Sequence, residues 1–201
     1  DVFTLAQQYQ EDDNHDWTYR LDFHQKRWLH VSVIGIWLGK RSPVVTVRIP
    51  PDLPFDLEAT MRGGHLVMDF ANLALSSADV ELSRGVLQVF VSEPMDVPMG
   101  SLSVRSRIGT MRLDHLGNAS PGTLDVQHRH GVALVNLDGG WRADADIDFY
   151  VAFGTGELRL PGDVRIEGPG RPLALPAQRE IPLPTLRIGT HSGFGKIRVI
   201  D

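Results

Sequence analysis

Apolar and polar residues alternate along most of this chain, and the alternation restarts repeatedly just after a glycine. The unit is Gly-x-apolar-x-apolar. Gly64 is followed by Leu66 and Met68, Gly85 by Leu87 and Val89, Gly109 by Met111 and Leu113, and Gly131 by Ala133 and Val135. Gly156 leads to Leu158 and Leu160, and Gly195 to Ile197 and Val199. Successive members lie 21, 24, 22, 25 and 39 residues apart, a period of roughly 20 to 25 with one repeat skipped near the end. A second set, Gly100, Gly122, Gly139 and Gly162, falls between these, so ten of the 20 glycines start the pattern. Random placement of apolar residues would give roughly three or four.

Glycine accepts positive φ at a tight corner, and two apolar residues spaced by one lie on the same strand face because side chains alternate with period 2. Each unit therefore predicts a corner followed by a short strand with one dry face and one wet face. A coil of about 22 residues cannot bury that face alone, so coils must stack around a shared column of Leu, Val, Ile and Met. The predicted fold class is all-β: a β-solenoid-like or two-sheet prism of stacked glycine-cornered strands. Residues 1–44 are expected to form aromatic N-terminal strands packed on the same domain, with the repeat domain over residues 45–201. One short helix, or a frayed lead-in, is expected over residues 2–10, which lack Gly and Pro and contain Leu5, Ala6, Gln7 and Gln8. Strands are expected over residues 17–23, 27–33 and 44–49, with Lys196–Ile200 closing the sheet. The five prolines between Gly168 and Pro184 predict an extended crossover.

Composition narrows function more than it identifies it. With 42% hydrophobic and 22% charged residues over 201 positions, the chain can bury a core and fold alone. A formal net charge of −5 provides no basic field to attract phosphate backbones or anionic lipid surfaces, so nucleic acid is not expected as a partner. The absence of cysteine excludes disulfides, thiolate zinc sites and thiol nucleophiles. The longest apolar stretch, residues 28–38, is interrupted by His30, Ser32 and Gly35 and is too short to span a bilayer. It reads as one or two strands turning at Gly35, with a membrane-proximal patch as the alternative. A chain that begins at Asp1 rather than Met suggests a removed signal peptide or anchor, so membrane attachment is expected only through a segment outside this chain.

Three clusters could carry chemistry. His128-Arg129-His130 would place two imidazoles on one strand face about 7 Å apart, a spacing that suits a metal but needs further donors; otherwise it is a solvated face. Asp144, Asp146 and Asp148 alternate with Ala145 and Ile147, so three carboxylates share a strand face. They could hold calcium or serve a glycan, or simply protect a sheet edge. An EF-hand is excluded, because Phe149 stands at the turn-glycine position and Thr155 at that of the bidentate Glu. Trp141, after Gly139-Gly140, either offers a sugar platform or caps the core. The Gly63-Gly64 and Gly154-Thr155-Gly156 runs lack the Lys-Ser/Thr ending and following helix of a phosphate loop. Arg105, Arg107 and Arg112 read as solvated strand faces. No catalytic residue and no cofactor is expected.

The segment from Val45 onward carries Val47-Arg48-Ile49-Pro50-Pro51-Asp52-Leu53-Pro54, Gly64-His65-Leu66-Val67-Met68 and Asn72-Leu73-Ala74-Leu75. Later come the run from Gly154 to Ile166 and the closing Gly193-Phe194-Gly195-Lys196-Ile197-Arg198-Val199. Over about three quarters of the chain this resembles the bacterial toast-rack group of adhesin domains, which includes the C-terminal domain of cell-wall-active antibiotic response proteins. The resemblance implies an extracytoplasmic, non-enzymatic β-helix-like domain of the cell envelope, either adhesin-like or tied to envelope stress. Its partner would be an envelope protein or glycan, or a second copy of the chain. The alternative is a glycan-active or glycan-binding β-helix protein using the acidic stripe, with or without calcium. Trp17, Trp28 and Trp37 depart from the group's pattern.

Overall fold

The computed structural model of the chain describes residues 3–11, 17–25, 49, 54–168 and 183–200. It divides into two units, Asp1–Thr46 and Val47–Asp201. In the first, strand β1 (Phe3–Glu11) pairs antiparallel with β2 (Trp17–Gln25). The helix expected over residues 2–10 is thus a strand. Its residues have fair helix propensity, but propensity is a weak prior that cross-strand pairing overrides. The register sets Leu5 opposite Phe23 and Tyr9 opposite Tyr19, a pairing of β-forming residues that a single helix could not provide. The strand expected over 27–33 and the apolar stretch 28–38 lie outside the described residues; of the strand expected over 44–49 only Ile49 is described, outside any strand, and of the crossover between Gly168 and Pro184 only its ends are.

The second unit is a parallel β-solenoid of about five turns. Its first coil is β3 (Phe55–Met61) and β4 (Gly64–Asp69). Four long strands follow: β5 (Leu75–Phe90), β6 (Ser101–Asp114), β7 (Thr123–Asn136) and β8 (Ala145–Arg159). The last coil is built from β10 (Thr185–Ser192) and β11 (Lys196–Ile200), both parallel to β8, with the short β9 (Arg165–Glu167) on the outer side of β10. Each long strand runs through its glycine rather than starting at it, so a coil is one bent strand and a return segment.

The bend is set by glycines in lateral register: Gly64 beside Gly85, then Gly109, Gly131 and Gly154. Their φ values run from 121° to 134°, a region closed to residues with a Cβ. At Gly109 and Gly131 an added Cβ would lie 1.9 Å from the carbonyl oxygen of the preceding glycine. The expected corner at Gly156 is therefore corrected to Gly154, two residues earlier. Gly156 instead makes room inside the coil. It aligns with Ala133, and a Cβ there would come within 3.0 Å of the Phe149 ring. The interior row Leu87, Met111, Ala133, Gly156 dwindles just where the facing row Val80, Val104, Val126, Phe149 ends in its largest member. Filling a close-packed interior requires that exchange of volume.

The inward rows are buried from Leu82 and Leu87 through Val126, Val135 and Leu158, so one apolar column runs through the coils. The return segments form a third wall. Met95 and Met99 donate backbone N–H groups to Asn118 and Ala119 carbonyls, and Gly117 donates to Asp138. Asn118 stitches three coils, donating from Nδ2 to the Val91 carbonyl at 2.8 Å and accepting from the Gly140 N–H at 3.2 Å. The buried Ser120 hydroxyl accepts the N–H groups of Arg142 and Ala143. Edge rows of the first coil, such as Leu57, Met61, Leu66 and Met68, are only half-buried.

Candidate functional site

Stacking aligns equivalent residues of successive coils into outward rows, and these rows carry the surface chemistry. On the wall preceding the glycine column, one row runs Glu58, Asp79, Ser103, Asp125, Asp148 and the next runs Asp56, Ser77, Ser101, Thr123, Asp146. The expected acidic stripe belongs to this wall. Its carboxylates have partners: the Asp144 carboxylate accepts the Thr185 backbone N–H at 2.8 Å, Asp146 meets Arg187 Nη1 at 3.2 Å, and Asp148 lies 3.7 Å from His191 Nε2. The bond to Asp146 pushes the Arg187 pKa up. A shallow, open depression of about 380 Å³ lies here, bordered by Thr123, Asp125, Gln127, Asp146, Asp148 and Arg187. No group of three or more potential metal-ligating residues converges among the described residues.

The two imidazoles do not share a face. His128 is fully buried, between Ser106 and Val151 in an inward row, whereas His130 is exposed. The expected pairing fails because the corner that ends at Gly131 already interrupts the ladder at Arg129, between them, and period-2 alternation does not survive it. Burial lowers the His128 pKa, with a smaller contribution from the charge of His130. The Ser106 hydroxyl makes no hydrogen bond, and the backbone of Gly109 and His130 beside the His128 ring offsets only part of the lowering by burial. Trp141 is 7% exposed, and its Nε1–H donates to the Leu137 carbonyl at 2.7 Å. It caps the core over Gly117, where a Cβ would touch its indole nitrogen at 2.7 Å, so it offers no open ring face to a sugar.

A different surface stands out, one that the sequence pattern did not reveal. Just before each corner glycine lie two outward positions. The first holds Arg62, Ser83, Arg107, Arg129 and, in β8, the buried Ala152, while Gly63, Arg84, Ile108, His130, Phe153 and Phe194 occupy the second. The flanking rows are Thr60, Glu81, Arg105, Gln127, Tyr150, His191 on one side and His65, Val86, Thr110, Val132, Thr155, Lys196 on the other. Across these four rows the only carboxylate is Glu81. It sits 3.9 Å from Arg107, while Arg105 turns toward Asp79 at 3.0 Å on the acidic wall. Among the described residues, Arg62, Arg84, Arg129 and Lys196 have no ion-pair partner.

The same corner gathers exposed apolar surface. Ile108, Val132, Tyr150, Phe153 and Phe194 are among the large hydrophobic residues left exposed, and Phe194, between Gly193 and Gly195, is 87% exposed. Parallel coils put like positions in van der Waals reach. His130 stacks on Phe153 with ring centroids 4.9 Å apart, and Phe153 stacks on Phe194 at 5.2 Å. A signal was present in the chain, since Arg62, Arg84, Arg107 and Arg129 recur every 22 or 23 residues, each one or two positions before a corner glycine. Reading charge as a net sum concealed it. No family model matches the chain, and no curated protein or solved structure is detectably similar to it.

Proposed function

We propose that this chain is a non-catalytic interaction module of the bacterial cell envelope, working outside the cytoplasm through the corner ridge. The observation that carries the reading is the coincidence, on one edge, of unpaired arginines with exposed aromatic rings. Arginine and aromatic side chains supply most of the binding energy at recognition surfaces, whereas carboxylates and lysines are depleted there. The toast-rack resemblance supports the envelope setting and a partner such as an envelope protein, a glycan or a second copy. The test is a panel of defined envelope components, assayed with the wild type and with an Arg84→Glu/Arg129→Glu variant. A component held by the wild type and released by the variant is the expected outcome. Equal retention of every component by both overturns the ridge as the binding surface, and turnover of any component overturns the non-catalytic reading.

The acidic wall supports a second reading, glycan binding or cleavage, through the depression bordered by Asp125, Asp146 and Asp148. Arg187 pairs with Asp146, the Thr185 N–H binds Asp144, and the His191 ring lies 3.7 Å from Asp148. Calorimetric titration with calcium is therefore expected to give no saturable heat. An isotherm abolished by Asp146→Asn would move the function to this wall.

A further inference from the structure

We propose that the corner ridge docks edge-on against an anionic lipid surface. The inference rests on the ridge being the interaction site and names its occupant. Four features of the ridge select that occupant. The ridge is convex, because the glycine column bends every strand there; a projecting edge meets a plane along its whole length, whereas a flexible polymer is held better in a groove. Its cations from the first coil to the fourth are arginines, whose planar guanidinium groups pair with phosphate oxygens two at a time. Strands β4, β5, β6, β7, β8 and β11 lie side by side along it. At about 4.8 Å per step they give an edge of roughly 24 Å, long enough to contact several headgroups together.

The third feature is apolar. Phe194 projects from the Gly193–Gly195 bend with 87% of its surface exposed, backed by the Phe153 and His130 stack. An aromatic ring next to basic side chains suits the headgroup boundary, where apolar burial and attraction to anionic lipid act together. The fourth is the contrast in charge around the molecule. The wall carrying Asp79, Asp125, Asp146 and Asp148 would be repelled by the same surface, so turning the edge rather than this wall toward it brings attraction without that repulsion.

The experiment is co-sedimentation of the full chain with vesicles of phosphatidylglycerol in phosphatidylcholine, at several ionic strengths. Retention is expected to rise with the phosphatidylglycerol fraction, to vanish on pure phosphatidylcholine and to fall with salt. Each ridge arginine replaced by Ser should weaken partitioning about fivefold, so Arg84→Ser/Arg129→Ser should lose about 25-fold. Phe194→Ser should lose about tenfold. Arg198→Ser removes the same charge two residues beyond the ridge rows and should lose clearly less than either ridge arginine. All these side chains are exposed, and an unchanged circular dichroism melt shows that each variant is folded. No retention on phosphatidylglycerol at low salt overturns the proposal, as does an Arg198→Ser loss equal to that of Arg84→Ser. If vesicles fail but polygalacturonate is retained through Arg84 and Arg129, the lipid assignment falls and the interaction reading stands. If both fail and the ridge variants retain every envelope component as the wild type does, both fall together.

Discussion

His128 occupies an inward position between Ser106 and Val151, with no solvent exposure. Burial favours the neutral imidazole and lowers its pKa below the ordinary value. The unfolded chain then binds a proton that the folded chain refuses, so stability is complete above about pH 6.5 and falls as the solution is acidified, until the folded protein also takes the proton. The slope from this one group can reach about 1.4 kcal/mol per pH unit. His128→Leu is expected to abolish that component and, by replacing buried polar atoms with apolar ones, to leave stability at pH 7 within about 1 kcal/mol of wild type or above it. Urea unfolding at pH 7.5 and 5.5 measures both; an identical acid slope in the variant refutes the assignment. The local alternation did carry a signal, since His128 continues the inward phase of Leu124 and Val126, but a His-Arg-His run looks polar, and the corner that ends at Gly131 turns His130 outward. Trp141 was easier to read, since a large ring after two glycines has few places to go except over the end of a core.

At the scale of the strand and its corner, most of the fold was legible. Only glycine tolerates the required φ, and only strand alternation places Leu87 with Val89, or Met111 with Leu113, on one side. What local pattern could not supply was alignment between coils: Gly156 has the better flanking residues, Leu158 and Leu160, yet Gly154 is the one that lies beside Gly131. The N-terminal segment failed for a related reason, since the pairing of β1 with β2 depends on residues further along the chain. Gly131→Ala combines a φ of 129° with a Cβ 1.9 Å from the Gly109 carbonyl oxygen. The loss expected is about 3 kcal/mol or more, enough to unfold a marginal domain. Gly140→Ala, whose Cβ would meet nothing within 4 Å, is expected to stay within about 0.5 kcal/mol of wild type. Equal melting temperatures for the two variants would contradict a column held by backbone contact.

For the whole molecule, the unit Val47–Asp201 has its own core and its own hydrogen-bonded walls. A fragment of that span is expected to show a β-type circular dichroism spectrum and a cooperative melt; a spectrum without strand signal would mean that the N-terminal unit is needed for folding. The surface was less legible than the fold, because a formal charge of −5 hides an acidic wall and a basic edge that only stacking separates. The glycine column also governs how such a chain can change its length. An inserted residue inside β5, β6, β7 or β8 would slide every later row by one place, turning buried leucines to water and surface carboxylates toward the interior. The intervals between the corner glycines, 21, 24, 22 and 23 residues, already differ, and the return segments 70–74, 91–100, 115–122 and 137–144, with the extra residue Ala145 where the last of them enters β8, absorb the difference. Growth, grafted peptides and evolutionary drift in length are therefore channelled to one wall, away from both the acidic wall and the arginine edge.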